Sequence, residues 1–562
     1  MSYSSSAAVT RSRPLEPDHP GTLTGHWLPD SAPVEFEPQA IRKALLQCRH
    51  PIFILEQNGR LALARSGQAV FGQGRPPTAA AYPIRAFVPP LGPQHLGSSR
   101  FKQAHGLRYA YVAGAMANGI TSVAMVAAMA RAGMLGFFGA AGMTPAQVED
   151  AIDTLRHKVP AHMPGFNFIH SPFDPQLEWA LAELYLKHGV RRISASAYIN
   201  LTLPLVYYRV KGVHRDDTGR VVCPHGIVAK VSRIEVARRF LSPPPPKMIA
   251  QLREKNFITA EEAALAAEIP MADDLTAEAD SGGHTDNRPA ITLLPTMLAL
   301  RDQLHDTHNF ARRPCVGLGG GIATPQAAAA AFAMGAAFVV VGTVHQSCIE
   351  AGTSESVRKL LAAARQGDVT MAPSADMFEL GVNVQVLKRG TMFAQRAHKL
   401  YDLYERHDTY EQIPARQRQM VERDILQADF ARAWDQTQTF FKERDPRQIT
   451  RAAADPKFKM ALVFRSYLGL ASKWAQAGDP QRQMDYQIWC GPAMGAFNQW
   501  VQNSFLNTPG QRTVTTVALN FLFGASVLTR AALLKNQGIQ MPPDTDRFDP
   551  LPADQIHEYL TL

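Results

Sequence analysis

The chain has 562 residues, with 58 Lys+Arg against 49 Asp+Glu and a formal net charge of +9. Apolar residues make up 46% and charged residues 19%. This globular composition excludes a wholly disordered or collagen-like chain, and the length allows a large core domain plus one or two smaller ones.

Five cysteines (Cys48, Cys223, Cys315, Cys348 and Cys490) lie far apart and form no C-x-x-C pair. So sparse and odd a set argues against a disulfide framework and for a reducing, cytoplasmic setting. The N-terminal tail holds no apolar run long enough for a signal peptide. The mild basic excess favours an acidic partner. No aromatic-rich basic motif and no Cys/His finger spacing is present, so nucleic acid is not an expected partner.

Residues 1–104 are rich in Pro, Gly, Ser and Ala. Within them, Ile52–Leu55 and Leu61–Ala64 flank Asn58-Gly59, which predicts a hairpin. The segment reads as a loose tail and a small β-containing module.

From Arg108 onward short apolar runs alternate with helical stretches. The runs are Tyr109–Ala115, Met134–Phe138, Phe166–His170, Arg192–Ser196, Ile227–Val231, Asp274–Ala279, Pro314–Leu318 and Phe338–Gly342. Capped helix starts such as Thr144-Pro145-Ala146-Gln147 and Thr259-Ala260-Glu261-Glu262 lie between them. Strands alternating with helices pair in parallel, and eight such units predict an α/β fold of the (β/α)8 TIM-barrel type over residues 105–373. The fourth connection is long and carries the apolar run Leu205–Tyr208, and Pro243–Pro246 stiffens the fifth unit.

The apolar stretch Ala327–Val344 approaches the length of a membrane span. It is better read as a helix capped by Thr324-Pro325, stopped by Gly335 and followed by a buried β-branched strand. No membrane association is expected. Over residues 374–562 strand signals fade, and Thr391–Glu405, Arg416–Lys442, Pro456–Ala477 and Val514–Asn536 predict a helical domain.

The clearest chemical motif is Gly317-Leu318-Gly319-Gly320-Gly321-Ile322-Ala323-Thr324-Pro325, after a strand and opening a helix. Glycines let backbone N–H groups approach an anion, and a helix N-terminus favours negative charge. A dinucleotide fingerprint needs a third glycine and a later acidic residue, and both are missing. Phosphate sites in barrels form after strands seven and eight. Gly319, Gly320 and Gly321 follow the seventh predicted strand, and Gly342-Thr343 follows the eighth.

The second motif, Glu278-Ala279-Asp280-Ser281-Gly282-Gly283-His284-Thr285-Asp286-Asn287-Arg288-Pro289, follows the sixth strand on the same face. His284 sits there in a polar, Gly-rich loop rather than on an apolar face. It suits carbonyl hydrogen bonding or proton supply near neutral pH. Asp280 and Glu278 are either loop-holding acids or site residues. The third motif, Ala113-Gly114-Ala115-Met116-Ala117-Asn118-Gly119, follows the first strand, where small residues let a flat ring approach. Asn167 and Lys230 fall on strands three and five, towards the same mouth. Asn167 suits a ring amide edge. Lys230 suits neutralising an electron-rich ring or a substrate carbonyl. No HExxH, GxSxG, P-loop lysine or zinc spacing is present, so no metal is expected.

The stretch AEADSGGH…GLGGGIATPQAAAAAFAMGAAFVVVGT resembles flavin-dependent enoyl-acyl-carrier-protein reductases and the related nitronate monooxygenases. A closer resemblance runs from Pro89 to the C-terminus through AGAMANGITS, AGMLGFFGAAG, AKVSRIEVA, EADSGGHTDNRP, DMFELGVNVQVLKRGTMFAQRA and DYQIWCGPAMGAFNQW. These motifs resemble the trans-acting, PfaD-type enoyl reductases of polyunsaturated fatty acid and trans-acyltransferase polyketide synthases. Gly342-Thr343-Val344-His345 departs from the Ser and Asn that family members often carry there, but Thr343 keeps the hydroxyl.

The resemblance implies FMN at the C-terminal face of the barrel, relaying a hydride from NADPH to the β-carbon of a 2-enoyl thioester on an acyl carrier protein. It places Gly114, Ala115, Met116, Asn118, Asn167, Lys230, Gly282, Gly283, Gly319, Gly320, Gly321, Gly342 and Thr343 around the cofactor. His284 and Lys230 are its catalytic candidates, and whether His284 donates the proton or orients the thioester stays open. A homodimer is compatible with this reading. The rival activities are flavin oxidation of a nitronate and an idle scaffold role. The helices beyond residue 374 are expected to wall the substrate channel, with Lys388, Arg389, Arg396 and Lys399 facing the carrier protein.

Overall fold

Asn58 and Gly59 turn the chain with φ of 51° and 72°, the paired left-handed conformation that two-residue hairpins use. The turn joins β2 (Ile52–Gln57) to β3 (Arg60–Ala64), paired with Ile54 opposite Leu63. This structure is a computed structural model describing residues 25–30, 34–72, 78, 80–160, 163–172, 174–545 and 547–561. Of the first 30 residues read for a signal peptide, residues 1–24 lie outside the described residues.

The chain divides into two compact units. One comprises residues 1–96, 324–333 and 516–562. Its sheet adds β1 (Gly25–Leu28), β4 (Gln68–Phe71) and β5 (Tyr82–Val88), in the order β3-β2-β5-β1-β4. Trp27, Phe53, Leu55 and Ile84 pack on one another between its strands.

The other unit, residues 97–323 and 334–515, holds a closed barrel. Its strands are β6 (Tyr111–Ala113), β7 (Leu135–Phe138), β8 (Gly165–Ile169), β9 (Arg192–Ser196), β12 (Gly226–Val231), β13 (Asp274–Glu278), β15 (Cys315–Gly319) and β16 (Val339–Val341). All the neighbours run parallel, and β9 against β12 completes the ring. Each of the eight predicted runs overlaps one of these strands. The long fourth connection carries the helix Leu203–Val210 and a two-strand ribbon, β10 (His214–Arg215) with β11 (Val221–Val222). Thr144 with Gln147, and Thr259 with Glu262, form the expected capping boxes. Gly335, at φ 97°, ends the turn that follows the helix Pro325–Ala333.

The N-terminal end of the barrel is closed by Asp274, which is fully buried. Its carboxylate lies 2.6 Å from His105 Nε2 and accepts from Arg312 Nη2 at 2.9 Å and Cys315 N at 3.2 Å. Burial raises this carboxyl, but His105 and Arg312 outweigh it and hold the group below its ordinary value. Polar chemistry at this end therefore serves closure, which leaves the opposite mouth for a ligand.

Two features of the sequence reading change. The segment after residue 374 is not purely helical: β18 (Asn383–Leu387) pairs antiparallel with β17 (Val369–Pro373) and with the short β14 (Gly283–His284). The single helix expected over Arg416–Lys442 is broken. The helix Ala415–Met420 runs into a wide turn at Val421–Leu426, Gln427 takes a φ of 55°, and a new helix runs Phe430–Arg444. A left-handed residue cannot continue a right-handed helix. The helices Phe393–Arg406 and Pro456–Ala477 pack on the β17–β18 sheet through Val384, Val386, Phe393, Phe464 and Leu468.

All five cysteines are free, four buried and Cys223 half-buried. Burial pushes the thiols of Cys223 and Cys315 up to about 11, those of Cys48 and Cys490 to about 12, and that of Cys348 upward too. Among the described residues one helix, Val514–Asn536, is long and apolar enough to cross a membrane, and 78% of its most apolar window is buried within the protein.

His345 follows β16 and is fully buried, its Nε2 2.8 Å from the Tyr111 hydroxyl. Burial drives the ring down to about 3. The native ring therefore stays neutral where the unfolded ring, titrating near ~6.5, takes a proton. Stability should fall as pH drops from about 6.5 to about 3, by at most about 1.4 kcal/mol per pH unit from this group. Denaturant melts of His345→Gln at pH 7 and pH 4 are expected to differ less than those of wild type. Equal losses in the two proteins would exclude His345 as the source.

Candidate active site

The barrel's C-terminal mouth opens into a cavity of about 1100 Å³. Every site residue proposed from sequence lies in its lining. The β6 turn contributes Gly114, Ala115, Met116 and Asn118, β8 contributes Asn167, and β12 contributes Lys230. The loop after β13 contributes Gly282, Gly283 and His284, and the last two strand ends contribute Gly319, Gly320, Gly321, Gly342 and Thr343. Parallel register makes this convergence possible, since it sets Lys230 beside Thr276 and Glu278 beside Gly319 at one end of the ring.

The glycine loops form a cradle. Gly320 and Gly321 take φ of 88° and 75°, so the chain turns sharply after β15. A Cβ on Gly321 would meet nothing within 4 Å, and one on Gly342 would meet only Met116 Cγ at 3.9 Å. Both positions therefore border open space, as residues holding a ligand phosphate must. Gly320 differs: a Cβ there would strike the carbonyl oxygens of Ala279 and Asp280 at 2.6 and 2.7 Å. It packs the loop against the end of β13, so a side chain at Gly320 tests the loop's fold and not the phosphate position. The Thr343 hydroxyl accepts from Gly491 N at 3.3 Å and keeps its own proton to donate.

The ionisable groups come in pairs. Lys230 Nζ lies 2.8 Å from Glu278 Oε1 across the β12–β13 seam, so the ammonium is balanced by a carboxylate. His284 is more constrained than a loop residue. It lies in β14, opposite Val384 of β18, with Nε2 3.2 Å from Asp376 Oδ1. Partial desolvation raises the Asp376 carboxyl, but the hydrogen bond and charge of His284 leave it below its ordinary value. Asp280 is a loop-holding acid, accepting from Asn287 Nδ2 and Gln385 Nε2, both at 2.8 Å. Asn167 Oδ1 accepts from Ser196 Oγ at 3.1 Å, which leaves its Nδ2 as the donor for a ligand.

Asn118 lines the cavity, but its amide is committed elsewhere. Its Nδ2 donates to Ser472 Oγ at 3.2 Å, its Oδ1 accepts from Lys473 Nζ at 3.0 Å, and Gln476 Nε2 donates to its carbonyl at 2.5 Å. It staples the β6 turn to the helix Pro456–Ala477. That helix, with Phe430–Arg444, supplies the outer wall. Ile199, Phe440 and Leu470 remain 54%, 52% and 41% exposed there, an apolar rim above a polar floor. The basic cluster expected to face a carrier does not line the cavity. Arg396 pairs with the buried Asp485, and Arg389 lies 3.5 Å from Asp368.

Sequence reading missed Asp376, Gln385, Ser472 and Lys473. Asp376 and Gln385 lie within DMFELGVNVQVLKRG, and a V-x-V alternation ending in Leu387 carried the strand signal. Ser472 and Lys473 carried none, because a polar pair on a long helix reads as a solvated face.

The nitronate monooxygenase family model matches residues 98–400, and that of the fatty acid synthase PfaD N-terminal domain matches residues 27–90. The inserted helical domain of [acyl-carrier-protein] S-malonyltransferase matches residues 407–486. A polyunsaturated fatty acid synthase component of Thraustochytrium sp. is 44% identical over 472 residues, which is 83% of this chain and 32% of that protein. Polyketide biosynthesis protein PksE of Bacillus subtilis is 41% identical over 448 residues, 80% of this chain and 57% of that protein. The chain thus spans about a third of the first relative and little more than half of the second. The crystal structure of the enoyl reductase domain of MlnA, from the macrolactin cluster of Bacillus amyloliquefaciens, superposes with a TM-score of 0.75 at 36% identity. That match covers 79% of this chain and 99% of that domain.

The His284 loop is seated on backbone. A Cβ on Gly282 would lie 2.8 Å from Cys490 N and 3.0 Å from Cys490 Cα. Gly282→Ala is expected to cost about 1–3 kcal/mol, the usual cost of overpacking, read as a lower melting temperature. An unchanged melting temperature would show that this contact does not seat the loop.

Proposed function

Because the chain belongs to the PfaD-type enoyl reductases, oxidoreductases built on a nitronate-monooxygenase-type barrel, we propose that it reduces the α,β-double bond of 2-enoyl thioesters carried on an acyl carrier protein. It would act in trans, serving a polyketide or polyunsaturated fatty acid synthase. The observation that carries this reading is a single cavity joining a glycine cradle, a polar barrel floor and an apolar rim.

The residues present fit a flavin mononucleotide. Gly319, Gly320, Gly321, Gly342 and Thr343 would hold its phosphate through backbone and hydroxyl donors. Gly114, Ala115 and Met116 leave room beside the ring, and Asn167 Nδ2 suits a ring carbonyl. When bound, the flavin supplies hydride transfer between NADPH and the β-carbon of the enoyl thioester. The chain's own part is to bind, orient and balance charge. The Lys230–Glu278 pair presents a charge-balanced floor. His284, held by Asp376 and the β14–β18 pairing, would contact the thioester. Ile199, Phe440 and Leu470 would give the acyl chain exposed apolar surface to cover.

Purified protein should be yellow, bleach anaerobically with NADPH, and regain colour with a carrier-bound enoyl thioester whose acyl chain gains two hydrogens in mass. Colour restored only by oxygen or a nitroalkane, with no mass gain, would establish the oxidase reading instead. Gly342→Asp sets a carboxylate in the phosphate cradle and should purify colourless but folded. Full flavin occupancy in that variant would move the phosphate elsewhere.

His284→Ala should retain flavin and lower turnover by at least about tenfold, a cautious bound on losing one hydrogen-bond donor to the thioester carbonyl. Unchanged turnover would reduce His284 to a structural role.

A further inference from the structure

A second histidine borders the cavity with a carboxylate behind it. His170 follows β8 in the lining, stacks on the Tyr198 ring at 5.3 Å, and sets Nδ1 3.3 Å from Glu178 Oε2. Glu178, in the first turn of the helix Pro175–Lys187, is 3% exposed. Its oxygens accept from Tyr198 Oη at 3.0 Å, from Thr202 Oγ1 and from Ser171 N at 3.5 Å. Burial, and then the charge of Glu178, push the Tyr198 phenol well above its ordinary value, so its hydroxyl is a donor. A carboxylate with these partners is acceptor-only. The proton of its fourth contact therefore sits on His170 Nδ1, which leaves Nε2 as the ring nitrogen to exchange protons.

Among the described residues, no lysine or arginine pairs with Glu178. The His170 ring is thus the basic side chain against this carboxylate, which is 3% exposed. The His284–Asp376 pair differs in this respect, with side chains 34% and 54% exposed.

Resting on the enoyl reductase reading above, we infer that His170 is the proton carrier of the reaction and Glu178 its positioning residue. Hydride delivered to the β-carbon shifts the double-bond electron pair towards the α-carbon. The His170 Nε2–H bond then breaks, its proton forms the new α-carbon–hydrogen bond, and the electron pair stays on the ring. The neutral ring regains a proton from solvent, and the net gain is one hydride and one proton.

The test uses the flavin-loaded enzyme and an α-methyl-branched 2-enoyl thioester, which creates a stereocentre where the proton lands. Wild type should give one configuration. His170→Gln should keep flavin and bleach with NADPH at the wild-type rate, yet lower turnover at least tenfold and give a mixed configuration. Glu178→Gln should shift both readouts the same way by a smaller factor. A purely structural role would not mix the configuration. His170→Asn is the substitute should His170→Gln not fold. Nitrogen-15 spectra of histidine-labelled protein without substrate, taken at alkaline pH where the ring holds one proton and assigned by the His170→Gln difference, should show that proton on Nδ1 in wild type and a loss of that preference in Glu178→Gln. A His170 proton found on Nε2 instead, or a single retained configuration with wild-type turnover in His170→Gln, overturns the inference while leaving the enoyl reductase reading intact. Absence of any enoyl reduction by wild type overturns both.

Discussion

A backbone ladder of two residues holds the site together. Gly283 and His284 pair with Gln385 and Val384, so the loop after the sixth barrel strand is finished by a strand encoded about a hundred residues later. Gln385 extends the tie, donating to Asp280 Oδ1 and to Ser281 O at 2.7 Å. The Ile488–Gly491 segment closes on the same sheet, with Leu387 N donating to Ile488 O at 2.8 Å. Backbone hydrogen bonds are directional and costly to leave unmade when buried. The position of His284 is therefore set by the chain beyond the barrel as much as by the barrel itself.

The same dependence recurs across the mouth. Asn118, in a left-handed turn after the first strand, is gripped by Ser472, Lys473 and Gln476 of one helix. The helical part is thus structural to the cavity and not an appendage to it. This accords with the likeness to solved structure, which covers 79% of the chain and so more than the barrel alone.

The sequence made the barrel legible because period and punctuation agreed. β-Branched and small apolar runs alternated with capped helices, and the two glycine loops fell after the last two strands. The hairpin at Asn58-Gly59 was legible for a local reason, the φ requirement of its turn. What escaped was non-local. β18 reads Asn-Val-Gln-Val-Leu, too short and too polar at alternate positions to stand out until its partners are known. The break at Gln427 escaped because glutamine favours helix, and tertiary packing overrode that preference. The direction in which Gly320 faces and the partners of Lys230, Asn118 and Arg396 depend on chain segments far apart in sequence. Spacing showed which residues converge on the cavity but not what each one touches there.

The burial of the thiols has a chemical consequence for an enzyme of this kind. A 2-enoyl thioester is a Michael acceptor, and the species it alkylates is a thiolate. Every cysteine here is free, four are buried, and burial holds the protons on their sulfurs at neutral pH. Cys490 is the telling case, since its backbone abuts the His284 loop while its side chain has no exposure. Under the proposed activity the described residues of the cavity lining present no cysteine to the electrophile, and so resist thiol alkylation by the enzyme's own substrate.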